Sequence, residues 1–315
     1  MNLSPERQPA WMLASACIGL VLGTFTAAGT WSAELIEPFL MVLLYMTFLS
    51  VGGENLKAAF HNISFAAAAG AVNFLWTPLL SCILGLTFFP HSTDLQIGLL
   101  MLLATPCTDW YLVFTGMAGG NVPLGASILP LNLFLQIALL PVYLFLFFGS
   151  RLPIDHTSLL LSMVIVLAIP FVLAALTKQM GKRNLRWKKY TEYLKRRGDT
   201  LQLFCLCLAI AAMFASESRN LWSAPILFLH LLGPMILFFS LTFMAVRLLA
   251  CRKKYSRQDA IALHFTTLAR NSPLSLAIAA AAFPERPLIA MVLVIAPLIE
   301  LPILTMIAHK MKGPA

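Results

Sequence analysis

Two short stretches hold most of the chain's reactive chemistry: ATPCTDWYLVF from Ala104 and LARNSPLSL from Leu268. The first sets a thiol, a hydroxyl and a carboxyl side by side at Cys107, Thr108 and Asp109, directly after Pro106. The second sets a guanidinium, an amide and a hydroxyl at Arg270, Asn271 and Ser272, directly before Pro273. A thiolate is a ligand for soft metal and metalloid centres. A carboxyl can carry a proton, and a guanidinium can bind a carboxylate or supply a fixed charge. Two further titratable groups stand in comparable surroundings, Glu300 in PLIELP and His264, one to two turns before the second stretch.

Enzyme chemistry is not indicated. There is no Ser-Lys or Asp-Asp protease pattern, no HExxH and no metal-ligand spacing, and no cofactor is implied. The six cysteines are scattered without a CxxC pair, which gives neither a disulfide framework nor a zinc site.

What must position these groups is a membrane protein. Hydrophobic residues make up 59% of the chain and charged residues 11%, against about 25% charged in an ordinary soluble domain. Mean hydropathy is +0.83 over 315 residues. Apolar runs between polar breaks predict ten crossings, near 11–29, 35–52, 64–89, 95–118, 122–148, 158–177, 200–215, 224–250, 258–283 and 287–308. The formal charge of +9 is concentrated, with nine Lys and Arg between Lys178 and Arg197 and four more between Arg252 and Arg257. Basic loops stay cytoplasmic, so both termini are expected in the cytoplasm of an inner-membrane, multi-pass protein. Anionic lipids are the expected partners of the basic runs, and nucleic acid is not.

The 178–199 segment reads as a cytoplasmic loop dividing the chain into 11–148 and 158–308, two sets of five crossings. An odd number per half makes the halves run in opposite senses, an inverted repeat. A weak internal echo agrees: the fourth span breaks at TPCTD and the ninth at ARNSP, and each is followed by a polar turn and a run containing Pro-Leu. The Gly-Gly pairs at 52–53 and 119–120 read as turns at span ends.

Asp109, Arg270 and Glu300 lie inside predicted spans, where an ionisable group costs about 2.5–3.5 kcal/mol on insertion scales. Pro106 and Pro273 free backbone groups that cannot face lipid. Charge and break therefore belong in one shared polar pocket, where half-helix ends converge on a small polar solute. Blander readings stand beside this one. Asp109 and Arg270 can form a purely structural pair. Glu300 can be a hydrogen-bonded acid between helices, Cys107 an inert buried thiol, and His264 an interior histidine and not a proton relay.

The chain resembles the bile acid:sodium symporter superfamily, and within it the arsenical-resistance permeases that export arsenite. TPCTDWYLVFTGMAGGNVPLGASILPLNL, ARNSPLSLAIAAAAF and APLIELPIL carry the likeness. The resemblance implies ten helices, a panel of spans 1, 2, 6 and 7, and a core of spans 3–5 and 8–10. It also implies broken helices 4 and 9 crossing at the substrate site, with the core rocking against the panel. Where the sodium-coupled branch has a glutamate and a Gln-Asn-Ser in the ninth span, this chain has Thr266 and Arg270-Asn271-Ser272. The polar pair of the fourth span falls on Tyr111 and Leu112. Sodium coupling is thereby called into question, and Arg270 stands as a fixed charge where a sodium ion would sit. The thiol of the arsenite permeases matches Cys107, whereas their ninth-span acid falls on Ser275. The resulting expectation is a secondary transporter, arsenite efflux with proton coupling through Asp109, Glu300 or His264 ahead of transport of a small organic anion. The oligomeric state stays open between monomer and homodimer.

Overall fold

The computed structural model describes residues 8–50, 62–108, 110–149, 156–219, 225–283 and 285–312. Among them the structure is helical, and the one strand-like feature is an isolated bridge. In chain order the helices are α1 (Gln8–Phe25), α2 (Ala28–Ser50), α3 (Ile63–Phe88), α4 (Thr93–Leu103), α5 (Tyr111–Met117) and α6 (Val122–Phe148). There follow α7 (His156–Arg183), α8 (Leu185–Ser216), α9 (Pro225–Lys253), α10 (Arg257–Leu268), α11 (Ser272–Ala282) and α12 (Pro287–Lys312). Among the described residues four stretches are long and apolar enough to cross a membrane, in α3, α6, α9 and α12. Ala10–Phe25, Thr93–Leu103 and Thr200–Ser216 are shorter apolar helices. This is a polytopic, all-helical membrane protein.

One expectation needs correction. The 178–199 segment is not a loop, because α7 runs on to Arg183 and α8 begins at Leu185. Only Asn184 is extended, and its Oδ1 accepts the Arg186 N–H at 2.9 Å. Lys, Arg, Leu and Gln are good helix formers, so charge ends the apolar run without ending the helix. The Gly-Gly at 52–53 lies outside the described residues. At 119–120 the expected turn is present: Gly119 has φ +73° and closes α5, with Gly120 N–H donating to Thr115 O at 2.8 Å.

The chain divides into two units. One holds α1, α2, α7, α8 and Ala277–Ala282. In it α8 lies against α1 and α2. Gly19 and Gly23 let α1 approach α8 backbone to backbone: a Cβ on either would sit 2.2 Å from the carbonyl oxygen of Ala211 or Ala215. Small residues four apart drive such helix pairs in lipid, where apolar burial gives little.

The other unit holds α3–α6, α9, α10, α12 and the start of α11. Its half-length helices are α4 and α10. Every residue from Ile97 to Leu103 and from Ile261 to Leu268 is buried, the pattern of a helix enclosed by protein on all sides. Gly98 permits close contact with α12, since a Cβ there would lie 2.9 Å from Val292 Cβ. Within α3, Val72–Trp76 is a π-turn. Its displaced carbonyls are taken by side chains, Asn73 O by Thr77 Oγ1 at 2.7 Å and Phe74 O by Tyr143 OH at 2.6 Å.

Candidate functional site

α4 stops at Leu103 and α5 starts at Tyr111; α10 stops at Leu268 and α11 starts at Ser272. The two interruptions pair with each other. Pro106 and Arg270 form an antiparallel bridge, with Cys107 N–H donating to Ala269 O at 3.0 Å and Asn271 N–H to Thr105 O at 2.9 Å. A proline lacks a backbone donor, so Pro106 is well placed at the residue whose N–H the bridge does not use. The backbone groups freed by the breaks thus satisfy each other in the protein interior, as they must where no water or lipid headgroup is at hand.

Arg270 is the centre of the crossing and is fully buried. Its Nη1 donates to Leu103 O at 2.9 Å, its Nε to Leu268 O at 3.3 Å, and its Nη2 to Asn73 Oδ1 at 3.1 Å and to Thr267 O. Leu103, Thr267 and Leu268 are the last residues of α4 and α10, whose terminal carbonyls have no intrahelical partner. Two helix C-termini carry about half a negative charge each, together about the charge that the guanidinium brings. The face of Phe238 completes the surroundings, 5.3 Å from the guanidinium carbon to the ring centroid.

Asn73 is held in turn, its Nδ2 donating to Thr266 O at 3.2 Å and to Asn132 Oδ1 at 3.4 Å. Asn132 Nδ2 donates to Thr266 Oγ1 at 3.2 Å. This amide chain links the π-turn of α3, the first half of α6 and the end of α10.

Past the bridge, Asn271 caps α11, its Oδ1 accepting the Leu274 N–H at 3.2 Å while its Nδ2 donates to Thr108 Oγ1 at 3.2 Å. Ser275 and Thr105 share a hydrogen bond of 2.7 Å. Cys107, Thr108, Asn271 and Ser272 are all buried. Among the described residues Ser272 Oγ has no hydrogen-bond partner. Glu300 is fully buried, and its Oε1 accepts the Arg270 backbone N–H at 2.7 Å and the Trp110 Nε1–H at 3.3 Å. Its Oε2 has no partner among the described residues.

The structure therefore brings Cys107, Thr108, Arg270, Asn271, Ser272 and Glu300 together at the crossing. Asp109 lies outside the described residues. His264 is one of the buried residues of α10, and its Nδ1 pairs with Ala260 O at 2.7 Å. Its ring lies against Phe243, with centroids 4.6 Å apart. Sequence reasoning missed Asn73, Asn132, Trp110 and Phe238. A lone amide in AVNFLW and in LPLNLF was the available signal for the first two, since a buried amide needs partners.

The model of the sodium bile acid symporter family matches residues 37–224, more than half of the chain. This chain belongs to that family. Its members are membrane transporters and not enzymes, so a small-molecule substrate and a lipid environment follow. Among curated proteins, YbaS of Bacillus subtilis strain 168, an uncharacterized protein, is 22% identical over 280 residues, 89% of each chain.

Proposed function

We infer that this family member is a secondary carrier that moves a small polar solute by alternating access without sodium at the crossing. The observation that carries the reading is the guanidinium of Arg270 on the carbonyls of Leu103, Thr267 and Leu268. In broken-helix transporters, half-helix C-termini and unwound carbonyls are where the coupling cation binds. Here a covalently attached cation occupies that position. The reading takes α1, α2, α7 and α8 as the panel of such a carrier and α3–α6, α9, α10 and α12 as its core, which the division into two units supports except for Ala277–Ala282 of α11, grouped with the first. Ten crossings in two inverted sets of five, with both termini cytoplasmic in the inner membrane, complete the reading.

Arsenite efflux leads. Arsenite is neutral at physiological pH and thiophilic, so it needs a sulfur ligand and no counter-charge. Cys107 puts a buried thiol at the bridge, next in sequence to Thr108, whose Oγ1 accepts from Asn271 Nδ2. Glu300, with one carboxyl oxygen unmatched among the described residues, is the group to carry a counter-proton, ahead of His264. A small organic anion is the second reading. Ser272 Oγ, unmatched among the described residues at the start of the 11-residue α11, favours it. Arg270 favours it less, because four of its five N–H donors are already committed within the protein.

Purified protein in proteoliposomes tests this directly. Arsenite flux should follow a pH gradient, ignore a sodium gradient, and disappear in Cys107→Ser. Sodium-driven flux in the wild-type protein would overturn the reading. Carboxylate flux without arsenite flux would select the second solute.

A further inference from the structure

The unit of α1, α2, α7 and α8 has an open groove of about 650 Å³. Its floor and walls are apolar, with Met41 and Val42 from α2 and Ile169 and Leu173 from α7. One end is different. There the lining is Arg186, Trp187 and Tyr190 from the first turns of α8, all exposed.

Polar ties join α2 and α7, the two helices that supply the groove's apolar lining. Tyr45 OH and Thr177 Oγ1 share a hydrogen bond of 3.0 Å, and Lys178 Nζ donates to Phe48 O at 2.7 Å. The edge-to-face pair of Trp187 and Tyr190, 5.8 Å between centroids, fixes the aromatic end. From Lys178 back to Ile169 is nine residues of helix, about 13 Å, so the apolar floor runs well into the hydrocarbon from a cationic, aromatic mouth.

Charge selects the occupant. Between Lys178 and Arg197 the chain holds nine Lys and Arg and a single acid, Glu192. Trp and Tyr mark the headgroup level of a bilayer, and basic groups beside apolar clefts at the cytoplasmic side recognise anionic headgroups. A neutral sterol or detergent would leave that cationic mouth unmatched, and a free anion would leave the floor empty.

We propose that the groove is a binding site for one anionic phospholipid, its phosphate at Arg186 and an acyl chain along Val42, Ile169 and Leu173. The site is independent of the transported solute and of the ion that drives it.

The test is thermal unfolding of the purified, delipidated chain with added phosphatidylglycerol, phosphatidylcholine or inorganic phosphate. Native mass spectrometry of the same samples counts retained lipid. Phosphatidylglycerol should raise Tm and stay bound as one copy, whereas phosphatidylcholine and phosphate should do neither. Two variants act on opposite ends of the site. Arg186→Gln should weaken phosphatidylglycerol about five-fold, as expected for one basic group near a lipid surface. Leu173→Trp should fill the floor and remove the retained copy, even though every charge is intact. Equal stabilisation by phosphatidylcholine would overturn the headgroup assignment, and stabilisation by phosphate alone would overturn the lipid. Unchanged phosphatidylglycerol binding in both variants would overturn the groove.

Discussion

Removing the guanidinium of Arg270 tests the site more sharply than any other change. The group makes four hydrogen bonds, to the carbonyls of Leu103, Thr267 and Leu268 and to Asn73 Oδ1. Hydrogen bonds to a charged group contribute about 1.5–3 kcal/mol each, so four contribute roughly 6–12 kcal/mol. Burying the ion takes back several kcal/mol. Arg270→Gln should therefore destabilise by about 3–5 kcal/mol, similar to removing one partner of a buried ionic pair. On the scale for large domains that is a Tm loss of about 10 °C. Sodium then becomes the discriminating reagent. The variant leaves converging oxygens and about one negative charge from two helix ends, while a glutamine amide fills only part of the space. Sodium at about a hundred times its Kd should return about 2.7 kcal/mol, and choline, too large to enter, should return nothing. The assay is thermal unfolding in sodium chloride against choline chloride at equal ionic strength, with wild type beside the variant. Wild type should not distinguish the two salts. A wild type stabilised by sodium as much as the variant, or a variant as stable as wild type in choline, would refute the tethered cation.

Glu300→Gln keeps an acceptor for the Arg270 N–H and the Trp110 indole, so it should fold with a Tm near that of wild type. Its flux should run down a solute gradient yet no longer respond to a pH gradient, and an undiminished pH response would exclude Glu300 as the proton carrier. Cys107→Ser, nearly isosteric and with its backbone N–H still on Ala269 O, should leave the unfolding free energy within about 1.5 kcal/mol of wild type. It should nevertheless abolish arsenite resistance in cells, and intact resistance would remove sulfur from the substrate site. Gly19→Ala drives a Cβ to 2.2 Å from Ala211 O; forcing α1 off α8 should cost about 1–3 kcal/mol, read as a lower Tm, and an unchanged Tm would mean that the helix pair adjusts freely.

Much of this site was legible as misplaced chemistry. A proline beside ionisable groups in apolar sequence is tolerable only where the freed backbone groups are buried in protein or line a cavity, and that logic led to breaks at TPCTD and ARNSP in one shared pocket. That the two breaks bond to each other had no signature in the sequence. Glu300 stayed open between the pocket and a hydrogen-bonded acid between helices; its donors are the Arg270 backbone N–H and the Trp110 indole. Less visible was what the guanidinium would bind. Its acceptors are mostly main-chain carbonyls, which carry no side-chain signature, and Asn73 reaches it because a π-turn rotates α3 by part of a turn. The boundaries of α7 and α8 were misread for a related reason. Charge marks where the membrane ends, and a helix of good formers continues past that point.

The charge at the crossing constrains the cycle. Two helix C-termini meeting head to head inside a membrane would repel each other and need a cation before they could approach. In a carrier that borrows its cation from solution, the empty site is unstable, and this is how ion binding becomes coupled to reorientation. With Arg270 built in, the carbonyl side of the crossing stays neutralised whether or not anything else is bound. On the proposed reading, reorientation of the empty carrier is then permitted, and coupling would be read around Cys107, Asn271, Ser272 and Glu300. A neutral solute exchanged for a proton meets that condition with no net charge added to the carbonyl side. On the proposed reading an obligatory sodium ion does not, because the guanidinium already holds the carbonyls of Leu103 and Leu268.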